Sequence, residues 1–471
     1  MLALNRIISF RNIAVMVGCI VNLTHLTLLY DVLPSNTGSS WHHIPLAYNF
    51  YKHGTLSEIK EDIEYKTQKA TPTCIYECPE KPTVNDTVGY AFLVGSLWKI
   101  TKSLDLLDIQ LLQIIMFCLM IFFLYEIFLL LFQNAAVAFI GCLLIDFWYH
   151  LVLMNVTPSR DIWGYYGGVV LAYVLLKLFL SEAYSYKKVF FGASFFAFCQ
   201  FLRPNIIGQS ATLCLALFTL FYLYKKDAMK QCLSGIAIVV FANILFFWAP
   251  FITFNTLVYD RYFVGPVGHG LLASLGTVDN PWALKCDDEK IVVHVRKAQE
   301  TNEEHGSAAL NDAGVQEFLK LLKENPLIYL KAVWNSFQSA LFFEAHAVIH
   351  FFYKCFHDSL FFTSKVQEAW GLGKSLFLLK ILEHFSSKVL RNLGYLGLII
   401  LIFQRRFIPI IYLMGGVFLG MWILMFSHFE ERYVIPFSWP FAVFAAYFLS
   451  FLGKWMCNKL IGFKGFLKKI L

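Results

Sequence analysis

Long apolar runs dominate the chain and set its organisation. A membrane-spanning helix needs roughly 20 mostly apolar residues, and ten stretches of the sequence fit that requirement. They are 12–30, 109–132, 135–153, 162–180, 189–202, 205–224, 232–252, 385–403, 407–427 and 433–453. The pattern therefore predicts an all-α polytopic integral membrane protein, built as one bundle over residues 1–471.

A shorter apolar stretch, Tyr90–Leu104, has a different pattern. It is apolar on one face and contains Lys99 and Lys102, which favours an amphipathic helix lying in the membrane interface over a further span. The proline of Arg203-Pro204 limits helix continuity, so two spans are expected to meet there at a turn.

The basic residues orient the bundle. With the N-terminus inside, those of the short loops and of the C-terminal end fall on the cytoplasmic side, in agreement with the positive-inside rule. They are Arg6, Arg11, Lys187, Lys188, Lys225, Lys226, Lys230, Arg405, Arg406, Lys454, Lys459, Lys464, Lys468 and Lys469. Residues 31–108 and 253–384 then form two large outer loops with interfacial helices, and 454–471 forms a basic cytoplasmic tail.

Composition excludes other classes of protein. With 58% hydrophobic and only 15% charged residues, the chain is too apolar for soluble domains. The net charge of +7 is spread over short loops and the tail, and no polar face alternates basic and aromatic residues. Membrane lipids are therefore expected partners, and nucleic acid is not.

Three arginines break the charge rule at short outer turns: Arg160, Arg203 and Arg432. The planar guanidinium suits phosphate oxygens, so the three are expected to converge on an anionic group at the membrane surface. The alternative is that each pairs with a nearby carboxylate or with lipid headgroups in general. Asp161 follows Arg160 at a helix start. It is a candidate for the catalytic base or for a group that orients the substrate. The alternative is an ordinary first-turn acid.

An anion site at this level suits a polyprenyl-phosphate-linked sugar donor. The tail of such a donor lies in the bilayer, and its phosphate lies among the headgroups. Sugar transfer needs cationic stabilisation of the leaving phosphate and a base for the acceptor hydroxyl. These requirements predict a glycosyltransferase with a glycan, lipid or protein acceptor. A transporter or flippase for a lipid-linked molecule is the alternative.

Four stretches, in chain order, resemble motifs of one family. Leu46–Ser57 resembles the "LAxNLxxHGxxS" end of its first outer-loop helix, and Tyr90–Leu97 resembles its second interfacial helix, "YPLxLA". Arg261–Pro266 resembles the segment after the seventh span, and Glu431–Pro436 resembles the "ERYxxP" opening of a late helix. The family is that of the GT-C polytopic glycosyltransferases, especially the bacterial dolichyl-phosphate-mannose-protein mannosyltransferase-like and aminoarabinose-transferase-like members.

The resemblance implies a GT-C-like bundle of about ten spans, with its active site on the periplasmic side of a bacterial inner membrane. An endoplasmic-reticulum membrane with a lumenal site is the alternative. It also implies that Arg432, Tyr433 and Arg261 are ligands for the donor phosphate. Arg203 and Arg160, which the charge bias singles out, are expected to join them.

The catalytic base is the point where this sequence departs from the family. Family members carry an acid early in the first outer loop, where this chain has Ser39. Asp31, His42 or His43 then supplies the base, since neutral histidine accepts protons, or Asp161 acts alone. The remaining alternative is a catalytically inactive relative.

Cofactor and modification sites are less specific. No cofactor is expected apart from a divalent metal, which is left open. His346 and His350, at i and i+4, have a spacing that permits a metal site, although such histidines more commonly lie at the interface. Cys74 and Cys78 form a disulfide or remain free thiols. Asn85 and Asn155 each begin a glycosylation sequon, a motif that also occurs by chance.

Overall fold

A computed structural model describes residues 9–29, 43–54, 56, 88–181, 185–259, 315–316, 318–320, 322–324, 326–342, 374–422 and 434–470. Every regular element in these residues is helical. In chain order the helices are α1 Phe10–Leu29, α2 His43–His53, α3 Gly89–Thr101, α4 Leu107–Phe132, α5 Ala135–Asp146, α6 Tyr149–Val156, α7 Asp161–Leu180, α8 Tyr186–Leu202, α9 Ile207–Tyr224, α10 Met229–Asn243, α11 Ala249–Tyr259, α12 Pro326–Leu341, α13 Lys374–Phe403, α14 Phe407–Met421 and α15 Pro440–Ile470.

Each of the ten predicted spans corresponds to a helix or to consecutive helices. Seven stretches are long and apolar enough to cross a membrane, or eight if the bent pair α5–α6 counts as one span. The other two are shorter: α8 has 17 residues, and α14 ends at Met421 among the described residues. The all-helical, polytopic membrane class predicted from the sequence is confirmed.

The predicted span 135–153 is broken in two. Helices α5 and α6 meet at an angle of 59°, with Phe147 and Trp148 between them. Asn134 caps the start of α5, because its side-chain oxygen accepts from the backbone N–H groups of Ala136 and Val137 at 3.0 and 3.3 Å. All eight residues of α6 are buried. The break therefore directs the second half of the span into the bundle.

Two polar contacts fix the relative direction of the first helices. Arg11, near the start of α1, pairs with Glu126, near the end of α4, at 2.8 Å. Asn22, towards the other end of α1, accepts from Asn155 near the end of α6 at 2.6 Å. We call the end of the bundle with the start of α4, the end of α6, the start of α7, the end of α8 and the start of α9 the site end. The opposite end carries Arg11, Lys187, Lys188, Lys225, Lys226, Arg405 and Arg406, and we call it the basic end.

The stretch predicted to lie in the interface forms α3, a helix of 13 residues that is not among the candidate spans. It packs on α2, where Phe50 contacts the ring of Phe92 at 5.1 Å and lies under the ammonium of Lys99 at 4.1 Å. The two short helices form one unit because aromatic rings and a lysine stem share an apolar surface. The location of Tyr90–Leu104 in the membrane interface stays a prediction.

The last helix, α15, runs without interruption from Pro440 to Ile470. The predicted basic tail 454–471 therefore continues the helix of the last span, and its cytoplasmic location stays a prediction. Pro440 is the first residue of α15 and Pro436 lies in the first turn of the 3₁₀ helix Ile435–Phe437. Proline fits these first-turn positions because the backbone N–H that it lacks has no helical partner there.

Helix α12 belongs to the large outer segment and is held on the bundle by α13. Tyr395 donates to the backbone carbonyl of Leu341 at 2.7 Å, and Arg391 donates to the carbonyl of Phe342. These are the carbonyls that a helix end leaves without intrahelical partners.

The closest approach between α13 and α15 occurs at Gly397. A Cβ atom there would meet the backbone carbonyl of Phe444. Replacing Gly397 with Ala should lower the free energy of unfolding by about 1–3 kcal/mol, because a backbone cannot yield as a side chain does. Gly453 of α15 is the matched control, since no atom lies within 4 Å of its Cβ position. Gly453→Ala should be neutral or stabilising by up to about 1 kcal/mol. Equilibrium unfolding in mixed micelles measures both; equal effects of the two changes would contradict the packing.

Candidate functional site

A buried ion pair lies at the site end, between the start of α7 and the end of α8. The Nε atom of Arg203 approaches Oδ1 of Asp161 to 2.7 Å, and the two side chains are 6% and 1% exposed. Charged side chains in an apolar bundle are costly to bury and are tolerated when paired. The pair therefore joins two helices at the level where both end.

Local chain geometry brings these two side chains together. The backbone N–H of Arg203 still donates to the carbonyl of Cys199 at 2.8 Å, while Pro204 starts a 3₁₀ turn instead of continuing α8. On the other side, Ser159 accepts from the backbone N–H of Asp161, the first residue of α7, at 3.2 Å. The predicted turn between two spans at Arg203-Pro204 is confirmed.

Arg160 lies next to this pair, at the N-cap position of α7, and its side chain is buried. Together the three residues bring two guanidinium groups and one carboxylate to the N-terminus of a 20-residue helix. The helix dipole adds partial positive charge at that end. Guanidinium groups and a helix N-terminus each favour an anion.

Helix α3 packs against the end of α8 at the site end. A Cβ atom at Gly89 would meet the backbone carbonyl of Phe201, so only glycine lets the start of α3 lie against the last turn of α8. Next to it, Tyr90 is fully buried. Burial, and after it the negative charge of Asp161, raises the pKa of Tyr90. Its hydroxyl therefore keeps its proton and donates.

Helix α2 contributes His43 to the same neighbourhood. Its imidazole packs edge-to-face on Tyr90, with ring centroids 5.8 Å apart, and it is fully buried. A path of contacts runs from His43 through Tyr90 and Gln113 to Ser159, two residues before Asp161. It connects helices α2 and α3 with the start of α7.

Behind the ion pair lies a buried polar network centred on the Gln113 side chain of α4. Its Nε2 donates to the backbone carbonyls of Asn155 at 2.7 Å and Thr157 at 2.8 Å. Its Oε1 accepts from the backbone N–H of Ser159 and from the hydroxyl of Tyr90, both at 3.4 Å. The amide thus contacts both the segment before α7 and helix α3.

Further polar side chains extend the Gln113 network. Gln110 donates to the carbonyl of Val156 at 2.8 Å. The Tyr166 hydroxyl lies between two acceptors, the backbone carbonyl of Gln113 at 2.8 Å and the side-chain oxygen of Asn155. Gln110, Gln113, Asn155 and Tyr166 are all buried. Buried polar groups need hydrogen-bond partners, and this network supplies them.

The structure brings together four residues predicted for the site. Asp161 and Arg203 form the ion pair, Arg160 precedes Asp161, and His43 reaches them through Tyr90. Arg203 pairs with a nearby carboxylate, which was the alternative to a phosphate ligand. Asp161 lies in the first turn of α7, which was one of the alternatives for that residue. The remaining predicted residues lie outside the described part of the chain and stay predictions: Asp31, His42, Arg261, Arg432 and Tyr433.

The sequon reading of Asn155 is wrong. Its side chain is fully buried and donates to Asn22, so no glycan can be attached to it in the folded protein. Sequence reasoning also missed Gln113 and Gln110. The available signal was their spacing of three residues within an otherwise apolar run, which puts two amides on one helix face that must point into the bundle. The sequon at Asn85 and the pair Cys74 and Cys78 lie outside the described residues.

Asp146 is a second buried acid, at the break between α5 and α6. It is fully buried, and neither carboxylate oxygen has a hydrogen-bond partner among the described residues. Gly18 of α1 lies against it, with 2.5 Å between Oδ1 and a Cβ built on that glycine. Within the same residues, no group of three or more His, Cys, Asp or Glu side chains is arranged to hold a metal ion. His346 and His350 are outside them, so the divalent metal remains an open expectation.

Comparison with known proteins gives one structural likeness. No protein-family model matches the sequence, and no curated protein matches it. Among solved structures, the chain is similar to the archaeal oligosaccharyltransferase AglB from Archaeoglobus fulgidus, in complex with an inhibitory peptide and a dolichol-phosphate. The TM-score is 0.48 and the identity 14%, over 98% of this chain and 52% of that one.

The chain thus spans about half the length of that protein, which has a GT-C fold. This is the class that the sequence motifs resemble. Because the TM-score and the identity are both low, the likeness carries no argument about the reaction of this chain.

A double-mutant cycle tests the ion pair. Asp161→Asn and Arg203→Gln should each lower the free energy of unfolding by about 3–5 kcal/mol, because each leaves a buried charge without its partner. The double variant should lose clearly less than the sum of the two. Arg11 and Glu126 form the matched control, a pair at the basic end with side chains 34% and 20% exposed. Their coupling should stay below about 1 kcal/mol. Additive losses at Asp161 and Arg203, measured by equilibrium unfolding in micelles, would refute the pair.

Proposed function

We propose that the chain is a GT-C-type glycosyltransferase that moves a sugar from a polyprenyl-phosphate carrier to a glycan, lipid or protein acceptor. The observation that carries the proposal is the buried group of Arg160, Asp161 and Arg203 at the site end, beside interfacial helix α3. A lipid carrier keeps its phosphate at the membrane surface, where spans end and interfacial helices lie. The group and the substrate thus meet at the same depth.

Electrostatics supports a phosphate at this position. Two arginine side chains belong to this end of the bundle, at the N-terminus of α7, which itself favours anions. Guanidinium also offers the planar donor geometry that phosphate oxygens accept. We assign Arg160 and Arg203 to the donor phosphate, together with the predicted ligands Arg432, Arg261 and Tyr433.

The reaction follows from this arrangement of charge. The acceptor hydroxyl loses its proton to a base, and its oxygen forms a bond to the anomeric carbon of the sugar. The bond from that carbon to the phosphate oxygen breaks, and its electron pair stays on the phosphate. The arginines stabilise the negative charge that develops there. The products are the glycosylated acceptor and the polyprenyl phosphate.

The base is assigned by elimination within the site. Asp161 is engaged by Arg203 at 2.7 Å, and we give it the task of orienting that guanidinium. Proton acceptance then falls to the first outer loop. The candidates there are His43, which reaches the site through Tyr90, and His42 and Asp31.

The charge bias supplies the orientation. Basic residues gather at the opposite end of the bundle, which the positive-inside rule assigns to the cytoplasm. The site end then faces the periplasm of a bacterial inner membrane, or the lumen if the membrane is that of the endoplasmic reticulum. A sugar carried outward on a lipid is accessible from that side.

One observation favours a second candidate function, transport of a lipid-linked molecule. Transporters use broken helices and ionisable residues within their spans, and Asp146 lies at the break between α5 and α6. In a flippase, Asp146→Asn would impair movement of the lipid across a vesicle membrane. In the proposed transferase, the same change would leave sugar transfer intact.

The deciding experiment is sugar transfer by the purified protein in detergent with radiolabelled undecaprenyl-phosphate sugars and membrane acceptors. Arg203→Gln should lower kcat by about 10²–10³, the loss typical for one group that stabilises a transition-state anion. Arg11→Gln breaks an ion pair at the basic end and should keep the wild-type rate. Arg203→Lys, which keeps the charge but not the fork, serves if the glutamine variant does not fold.

Two outcomes would reject the proposal. The first is wild-type turnover in a folded Arg203→Gln protein. The second is absence of transfer with every donor, combined with lipid movement in proteoliposomes that Asp146→Asn abolishes. All rates are referred to the folded fraction, measured by size-exclusion chromatography, because loss of the ion pair also lowers stability.

A further inference from the structure

The segment 157–160 presents the site residues without helical structure of its own. It links the end of α6 to the start of α7, and it contains Pro158, which has no backbone N–H to donate. Thr157 is extended, as the residue before a proline prefers to be. The position of Arg160 and Asp161 therefore depends on contacts made to this segment by other elements.

Gln113 supplies those contacts from two directions. Its two N–H groups hold the carbonyls of Asn155 and Thr157, on the α6 side of the segment. Its oxygen accepts from the backbone N–H of Ser159, and the Ser159 hydroxyl accepts from the backbone N–H of Asp161. A side-chain amide has two donors and an oxygen with two lone pairs, and with Tyr90 all of these are engaged.

The same amide connects the segment to the interfacial helix α3. Tyr90 lies in α3 and donates to Gln113, and its ring contacts His43 of α2. A fully buried side chain with contacts in every direction has one allowed orientation, because any rotation leaves polar atoms without partners. The orientation of Gln113 is thus fixed by three elements at once.

We propose that Gln113 is a positioning residue for sugar transfer, which sets the place of Arg160 and Asp161 relative to the interfacial helices. The proposal rests on the proposed glycosyltransferase function. Gln113 touches neither donor nor acceptor in this scheme. It acts through the backbone of residues 157–161, so its loss displaces the charged groups and leaves their chemistry unchanged.

The test compares two Gln→Met variants, since methionine has a similar length and no N–H donor. Gln113→Met removes the contacts to the segment before α7. Gln231→Met is the matched control: that amide donates to the carbonyls of Leu178 and Ser181, at 2.8 and 3.0 Å, at the other end of α7. Both variants lose two amide-to-carbonyl bonds, and only one of them loses them at the site end.

Hydrogen–deuterium exchange gives a readout that is independent of activity. In Gln113→Met, the backbone amides of residues 157 and 159–161 should exchange about tenfold faster than in the wild type, because local opening becomes easier. In Gln231→Met they should be unchanged. Unchanged exchange in Gln113→Met would overturn the proposal, whatever the state of the proposed function.

Steady-state sugar transfer gives the second readout. Gln113→Met should lower kcat by about 100-fold with little change in KM for the labelled undecaprenyl-phosphate sugar, because a displacement of about 1 Å has that effect on a reacting geometry. A purely structural role would lower the folded fraction and leave kcat per folded molecule intact. Faster exchange with intact kcat would therefore also overturn the proposal.

Failure of the proposed function can be distinguished from failure of the positioning role of Gln113. A wild-type protein that transfers no sugar rejects the transferase, and with it the positioning role, even where exchange responds as expected. Should Gln113→Met not be recovered folded, Gln113→Asn is measured in both assays with the same expectations. It keeps the amide, but its side chain is one methylene too short to reach both sides of the segment.

Discussion

A backbone without regular hydrogen bonds, buried inside an apolar bundle, is the constraint on which the site end depends. Carbonyls at the end of a membrane helix cannot turn to water, so they must find donors within the protein. Here the donors are side-chain amides on the neighbouring helix, Gln110 and Gln113, which bind three successive carbonyls from Asn155 to Thr157. The segment before α7 is irregular and yet well defined for this reason.

The position of the Asp161–Arg203 ion pair depends on this hydrogen-bonded segment before α7. Its two members come from different spans, and neither span continues past the pair. A charge in this position is tolerable only while its partner stays within reach, so the ends of α7 and α8 have to remain fixed relative to each other. Site chemistry and bundle packing therefore impose the same requirement on the same residues.

The sequence was sufficient for the architecture because apolar runs and charge bias report directly on membrane spans. It also located Arg160, Asp161 and Arg203, since arginines at the wrong end of a span are conspicuous. It could not show that Asp161 pairs with Arg203, because the two are 42 positions apart and contact through packing of α7 on α8. The break in the third span was equally hidden, since 135–153 has the overall apolarity of a single span and apolarity does not report a bend.

The Gln113 network could not be predicted from the sequence, for a related reason. Glutamine in an apolar run is noticed only as an exception to hydropathy, and its partners are backbone carbonyls that leave no trace in sequence. The sequence left glycosylation of Asn155 open, because a sequon depends on three residue types, whereas the accessibility of the asparagine depends on burial. Polar residues that serve the fold and polar residues that serve chemistry look alike until their contacts are known.

The broken span has a consequence for how the chain enters its membrane. Helices α5 and α6 have 12 and 8 residues, about 18 and 12 Å at 1.5 Å per residue, and each is too short for a hydrocarbon core about 30 Å thick. Neither half can therefore be recognised by the insertion machinery as a span alone. We expect α4, with its 26 residues, to lead, and the broken span to follow it as the second arm of a helical hairpin turned at Gln133 and Asn134. Biogenesis of the site end would then depend on the order in which neighbouring helices leave the translocation channel.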